Sequence, residues 1–181
     1  MASPVGQQVA RDGARDCSDA VADTYDRYQA ELFGYLARVS GSRDVAEDLL
    51  QETFLHFVRE VRAGRSPTDL RPWLYRVGTN LARSRGRHLA VVGRFLGRTR
   101  PPDVDVSPEE GVLRHELRDE LRGALSHLEP DARSAVLLAA QGFGGPEIAG
   151  ILGRSPLATR SLLFRARHAL RTHLEGKELR P

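Results

Sequence analysis

The stretch VAEDLLQETFLHFV (Val45–Val58) carries two messages on one helix. Ala46, Leu50, Phe54 and Phe57, continued by Val61, recur at three- and four-residue steps, the period of a buried helical stripe over roughly 43–62. The polar positions near its start are Glu47, Asp48, Gln51 and Glu52, which are nearly all acidic. A solvated face usually mixes both signs, whereas a face of one sign attracts a partner of the other. The chain itself is basic, with a net charge of +3. The acidic face therefore asks for a role of its own.

Working outward, the same helical period continues on both sides. Residues 1–20 are polar and without period, and read as a disordered leader. Tyr25, Tyr28, Leu32, Leu36 and Val39 predict a first helix that stops at Gly41. After the break at AGRSPTD, a third helix is predicted to start near Asp69, with Pro72 tolerated in its first turn. Leu70, Trp73, Leu74, Val77 and Leu81 are its inward face. Residues 88–111 hold three prolines and read as a flexible linker, in which HLAVVGRFLG is more apolar than a solvated tether requires. A second helical unit follows over 112–176, with 177–181 as a tail. In it Asp131 is predicted to cap a helix over 132–141, Gly153 to stop a short helix over 146–152, and Ser155–Pro156 to start the last one. No segment alternates with the period of a strand. The expected fold is all-α: two small helical domains, 21–87 and 112–176, joined by the linker.

Composition narrows the function. Residues 61–100 carry a charge of +9 and residues 154–181 carry +5, with acidic segments before and between them. Arg supplies 26 of the 27 basic residues, a choice that codon bias explains; codon bias does not explain two separate blocks. Two basic blocks predict two contacts with a polyanion, most simply nucleic acid. No apolar run is long enough for membrane insertion and no signal pattern opens the chain, so a cytoplasmic protein is expected. Cys17 is the lone cysteine, and the six histidines lack ligand spacing, so neither a disulfide, a metal nor a cofactor is expected. No nucleophile–base pair, carboxylate pair or phosphate-binding Gly loop appears, and the expectation is that the chain is not an enzyme.

Two motifs give the basic blocks a purpose. PEIAGILGRSPLATRSLLFRARHAL (Pro146–Leu170) reads as a helix-turn-helix. Ile148, Ala149 and Leu152 pack against Thr159, Leu163, Ala166 and Leu170, which leaves Arg160, Ser161, Phe164, Arg165 and Arg167 outward. Arg grips guanine edges or phosphates in a major groove, and an exposed Phe among arginines suits a DNA face better than a solvated one. RPWLYRVGTNLARSRGR (Arg71–Arg87) places Arg71, Arg76, Arg83, Arg85 and Arg87 around Tyr75 and Asn80. Basic side chains track phosphates, aromatic rings stack on unpaired bases, and an amide can pair with a base edge.

These motifs, in this order, resemble the extracytoplasmic-function sigma factors, the minimal type of the sigma-70 family. RDVAEDLLQETFLHFV is similar to the family's core-binding DAEDLVQETF pattern, RPWLYRVGTNLARSRGR to its WLYRIAxNxxxDxxR segment, and ALSHLEPDARSAVLLAAQGFGGPEIAGILG to the start of its region 4. The resemblance covers most of 24–87 and 112–174. It implies a non-enzymatic subunit that binds core RNA polymerase and directs promoter-specific initiation. It implies docking on the clamp helices of the largest polymerase subunit through Asp48, Leu49, Gln51, Glu52 and Leu55, and a contact with the flap of the second-largest subunit. Tyr75, Arg76, Asn80, Arg83, Arg85 and Arg87 would meet the minus-ten element, with Asn80 nearest the captured base. Arg160, Ser161, Phe164, Arg165 and Arg167 would meet the minus-thirty-five element. Many family members are held by an anti-sigma factor, so such a partner is allowed for. The chain departs from the family at Ser84, where an Asp is usual, and at Leu157, Ala158 and Leu162, where Gly, Thr and Arg are usual. The alternatives are a stand-alone helix-turn-helix regulator, which leaves the acidic helix without a role, and a sigma-like interaction protein that has lost initiation.

Overall fold

The structure, a computed structural model, describes the backbone of residues 4–96 and 120–178 and the side chains within 19–88 and 120–175. Every regular element among the described residues is helical. Helix α1 spans Pro4–Ser40, α2 Arg43–Arg62 and α3 Leu70–Leu96. Residues 120–126 are helical, and α4 (Pro130–Ala140), α5 (Gly145–Leu152) and α6 (Pro156–Glu178) follow. The protein is all-α.

Helices α1, α2 and α3 pack pairwise into an N-terminal bundle. Leu32, Leu36, Ala46, Leu49, Phe54, Phe57 and Leu74 are buried in it. Ser42 starts α2, its hydroxyl accepting from the Val45 N–H at 3.4 Å. At the crossing of α3 with α1 and α2 stands Gly78. A Cβ there would lie 3.2 Å from a Leu36 methyl and 3.3 Å from the Thr53 hydroxyl, so the absence of a side chain lets the helices close up. Tyr35, predicted neither as core nor as site, is fully buried beside it. Its hydroxyl meets that of Thr79 at 2.7 Å, and burial pushes its phenol up to about 12.

The C-terminal unit is built from α4, α5 and α6 with the turn before them. Ile148, Ala149 and Leu152 of α5 bury against Thr159, Leu163 and Ala166 of α6. Gly153 ends α5 with φ 63°, a left-handed conformation that glycine adopts without steric cost. Ser155 caps α6, accepting from the Ala158 N–H at 3.3 Å, with Pro156 at the first helical position. Leu162, which stands where an Arg is usual in the family, is buried in this core.

Three boundaries differ from the sequence expectation. The leader expected as disordered is helical from Pro4, as a prolongation of α1. Extending a helix that tertiary packing already holds adds one hydrogen bond per residue fixed, without a new nucleus. For the same reason α3 continues through the apolar residues of the expected linker to Leu96. Residues 97–111 of that linker, and residues 112–119 of the second helical unit, lie outside the described residues. Finally, Asp131 is not a cap. The cap position of α4 is Glu129, which makes no side-chain bond, and Asp131 sits in the first turn, engaged elsewhere.

The two units also pack against each other, α1 on α4 and α3 on α5, so that one apolar cluster runs through both. Neither periodicity nor charge predicted this contact.

Candidate functional site

The acidic face of α2 is exposed as its pattern predicts. Asp48, Gln51 and Glu52 all lie open to solvent, and Leu55 beside them is 48% exposed. Leu49 is a correction. It is 1% exposed, because it stands three residues after Ala46 and four before Thr53, within the buried stripe. An apolar residue that sequence reasoning turned inward takes its place at the surface. Tyr25 of α1 is 39% exposed and lies edge-on to Phe54 at 4.8 Å. Tyr25, Leu50, Phe54 and Leu55 floor a shallow groove whose rim carries Glu47 and Gln51. The face thus offers an acidic rim beside apolar surface. Tyr25 was missed because a Tyr at a stripe edge can bury its ring and still present it to a partner.

The basic block on α3 is split. Arg76, Asn80 and Arg87 are exposed, and their spacing places them along one outer stripe with Ser84. Tyr75 is a second correction: it is 1% exposed and cannot stack on a base in this conformation. It falls on the inner stripe with Gly78 and Thr79. Its ring packs on Tyr35 at 5.0 Å and on Phe143 at 4.8 Å, and its hydroxyl donates to Glu31 at 2.7 Å. Burial first, and then the Glu31 carboxylate, hold its phenol far above the usual tyrosine range, so it remains a donor. Arg71 donates to the same Glu31 oxygen at 3.1 Å. Burial alone would raise the Glu31 pKa, but hydrogen bonds from Arg71 and Tyr75 outweigh it, and the group lies below the ordinary carboxylate value.

Arg83 and Arg85, both expected on DNA, are engaged by carboxylates. Arg83 meets Asp131 at 3.0 Å and donates to the Leu152 carbonyl at 3.0 Å. Arg85 meets Asp48 of the acidic face at 2.9 Å, both partly exposed. Asp131 also accepts from Arg154 in the helix-turn-helix turn at 2.9 Å. One carboxylate therefore ties α3 to the entry of α6.

The outer face of α6 is open. Arg160, Ser161, Arg165 and Arg167 are exposed, and Phe164 is 74% exposed. Leu157, at the exposed start of the helix, is 74% exposed too, and with Arg160, Phe164 and Arg167 it lines a shallow concavity. The helix thus presents two large apolar side chains among arginines, next to a tight turn.

Comparison with known proteins gives the two units a family. Residues 24–90 match the model of sigma-70 region 2, and residues 118–170 match that of sigma-70 region 4. The RNA polymerase sigma factor CarQ of Myxococcus xanthus is 36% identical, over 93% of this chain and 95% of that one. The RNA polymerase sigma-H factor of Pseudomonas aeruginosa is 30% identical, over 80% of each. The sigma factor RpoE of Bartonella quintana, solved in complex with the anti-sigma factor NepR, superposes with a TM-score of 0.72 at 24% identity, over 85% of this chain and 96% of that one, and so shares its fold. With both conserved regions matched in order and a relative aligned along nearly its whole length, the chain belongs to the sigma-70 family as an extracytoplasmic-function sigma factor, a subunit that binds core RNA polymerase and directs promoter-specific transcription.

Proposed function

We propose that this sigma factor divides its work among three surfaces of opposite charge. The acidic face of α2 docks on basic clamp helices of the largest polymerase subunit. Asp48, Gln51 and Glu52 provide steering and register, while Leu55 and Tyr25 provide the apolar burial that charge alone does not. Leu49 supports this face from beneath. Arg76, Asn80 and Arg87 on α3 meet the minus-ten element, joined by Arg83 and Arg85 once these leave their carboxylates. Asn80 is the residue placed to read an unstacked base. Unstacking costs a few kcal/mol per base, which phosphate contacts from the arginines offset. Arg160, Ser161, Phe164, Arg165 and Arg167 on α6 read the minus-thirty-five element. The chain works in the cytoplasm and carries out no chemistry itself. The sigma factor RpoE of Bartonella quintana was solved with an anti-sigma factor, and a protein of that kind would hold this chain too; the surface it would cover is the polymerase-facing one.

The observation that carries this reading is the exposure of Asp48, Gln51 and Glu52 together on one face beside an apolar groove. The test is charge reversal. Asp48→Arg with Glu52→Arg is expected to abolish co-elution with core polymerase while the helical circular dichroism stays unchanged. Co-elution equal to wild type would remove the assigned surface.

A further inference from the structure

Leu157, the second residue of α6, is a large apolar side chain that the fold leaves unused. It is as open to solvent as Phe164, whereas Leu162 and Leu163 of the same helix are buried in the core. The start of the helix does not need it either. Ser155 accepts the Ala158 N–H, and Pro156 takes the first helical position.

The neighbours of Leu157 select what it can face. Leu157, Arg160, Phe164, Arg167 and Arg171 follow at steps of three and four residues, so they share one stripe of α6, and all five line one concavity. No acidic side chain among the described residues lines it. A wall of arginines repels a basic partner and attracts a polyanion. Leu157 and Phe164 stand about 10 Å apart along the helix at 1.5 Å per residue. Base pairs repeat about every 3.4 Å, so the two side chains reach different bases of a duplex.

The edges of a duplex offer an exposed Leu little to pack on. In the major groove the base edges are donors and acceptors, save the C5-methyl group of thymine. Against cytosine the same Leu would cover an amino donor without accepting from it. Arg160, one turn further along, can hold a phosphate or a guanine edge while Leu157 lies on a methyl group. We propose that Leu157 is a specificity-determining residue: packed on the C5-methyl group of a thymine, it adds a preference for thymine at one position of the minus-thirty-five element. The proposal rests on the assignment of α6 to that element. Where Gly is usual in the family no side chain could make this contact, so the preference belongs to this chain.

The test removes the methyl group alone. A promoter is first selected by the wild-type holoenzyme from a library randomised around minus thirty-five. Each thymine of the selected element, on either strand, is then replaced singly by deoxyuridine, which lacks only the C5-methyl group. In run-off transcription at limiting holoenzyme, wild type is expected to lose about fourfold at one of these positions, the value of one buried methyl group. Leu157→Ala is expected to use thymine and uracil there equally and to keep its other preferences. Leu157→Met, which keeps an apolar side chain, is expected to retain the discrimination. A wild type that responds to scrambling of the element but ignores uracil at every position overturns the proposal and leaves the assignment of α6 standing. So does a uracil response that Leu157→Ala leaves unchanged. Weaker co-elution of Leu157→Ala with core polymerase, at unchanged thymine preference, gives the side chain to a protein contact and overturns it as well. A wild type indifferent even to scrambling removes the assignment of α6, and the proposal with it.

Discussion

Helices α3 and α6 look alike in charge and differ in what their charge is free to do. Each carries a cluster of arginines among large apolar residues. On α3, Arg71, Arg83 and Arg85 meet Glu31, Asp131 and Asp48 respectively. On α6, Arg160 and Arg167 make no ion pair with any described residue, and Arg165 only returns to the Ser161 carbonyl on its own helix. A count of basic residues therefore overstates the DNA-facing charge of α3. Part of that block is tied up in ion pairs.

The comparison breaks most decisively at Arg71. Its removal strands Glu31 with Tyr75 alone, in a partly buried setting where an unsatisfied charged group costs about 1–3 kcal/mol or more. Arg71→Ala is expected to lower unfolding stability by about 2 kcal/mol in chemical denaturation, while Arg160→Ala stays within about 0.5 kcal/mol of wild type. Equal losses would mean that the two helices use their arginines alike.

Arg160 sharpens the contrast from the other side. A good bidentate base contact discriminates by about 1–3 kcal/mol. Arg160→Ala is expected to reduce preference for the correct minus-thirty-five element by that amount in run-off transcription. Unchanged preference against a scrambled element would place the readout elsewhere on α6.

Acidity acts on α3 through Glu31. Its folded pKa lies below the ordinary value of 4.5, so its stabilising effect is complete above that value and is lost as pH falls through the lower, folded one. Below about pH 4.5 the wild type is expected to lose stability more steeply than Glu31→Gln in thermal melts, with the two slopes matching near neutrality. Parallel slopes throughout would remove Glu31 as the source.

The smallest effect belongs to Arg85 and Asp48. An exposed ion pair is worth about 0.2–1 kcal/mol. A double-mutant cycle on Arg85→Ala and Asp48→Ala is expected to give a coupling below 1 kcal/mol. A larger value would make this pair a second restraint on α3, alongside Asp131.

What was legible in the sequence was local. The stripe of α2, the Ser155–Pro156 start of α6 and the Gly153 stop follow from helical period and capping chemistry, which act between residues a few positions apart. The outer face of α6 was legible because the helix-turn-helix buries its complement within the same short segment. Leu49 was misjudged because it is neighbour both to the buried Leu50 and to the exposed Asp48, and one step along a helix decides the side. The burial of Tyr75 and the ion pair of Arg83 were missed for a different reason. Their partners, Phe143 and Asp131, lie far along the chain in the other unit, and no periodicity encodes a contact at that range. Asp131 shows the same limit, since a residue with the form of a local cap is spent on a distant arginine.

The hydrogen bonds of Arg71 and Arg83 to backbone carbonyls have a further consequence. Gln141 is the C-terminal cap of α4, and Leu152 is the last residue of α5, so both carbonyls sit at helix ends, where unpaired acceptors and the negative pole of the helix gather. Two cations lent by one unit thus finish two helices of the other. Without Arg71 and Arg83, those ends would take water instead, and the last turns of α4 and α5 would become the places where amide hydrogens exchange sooner.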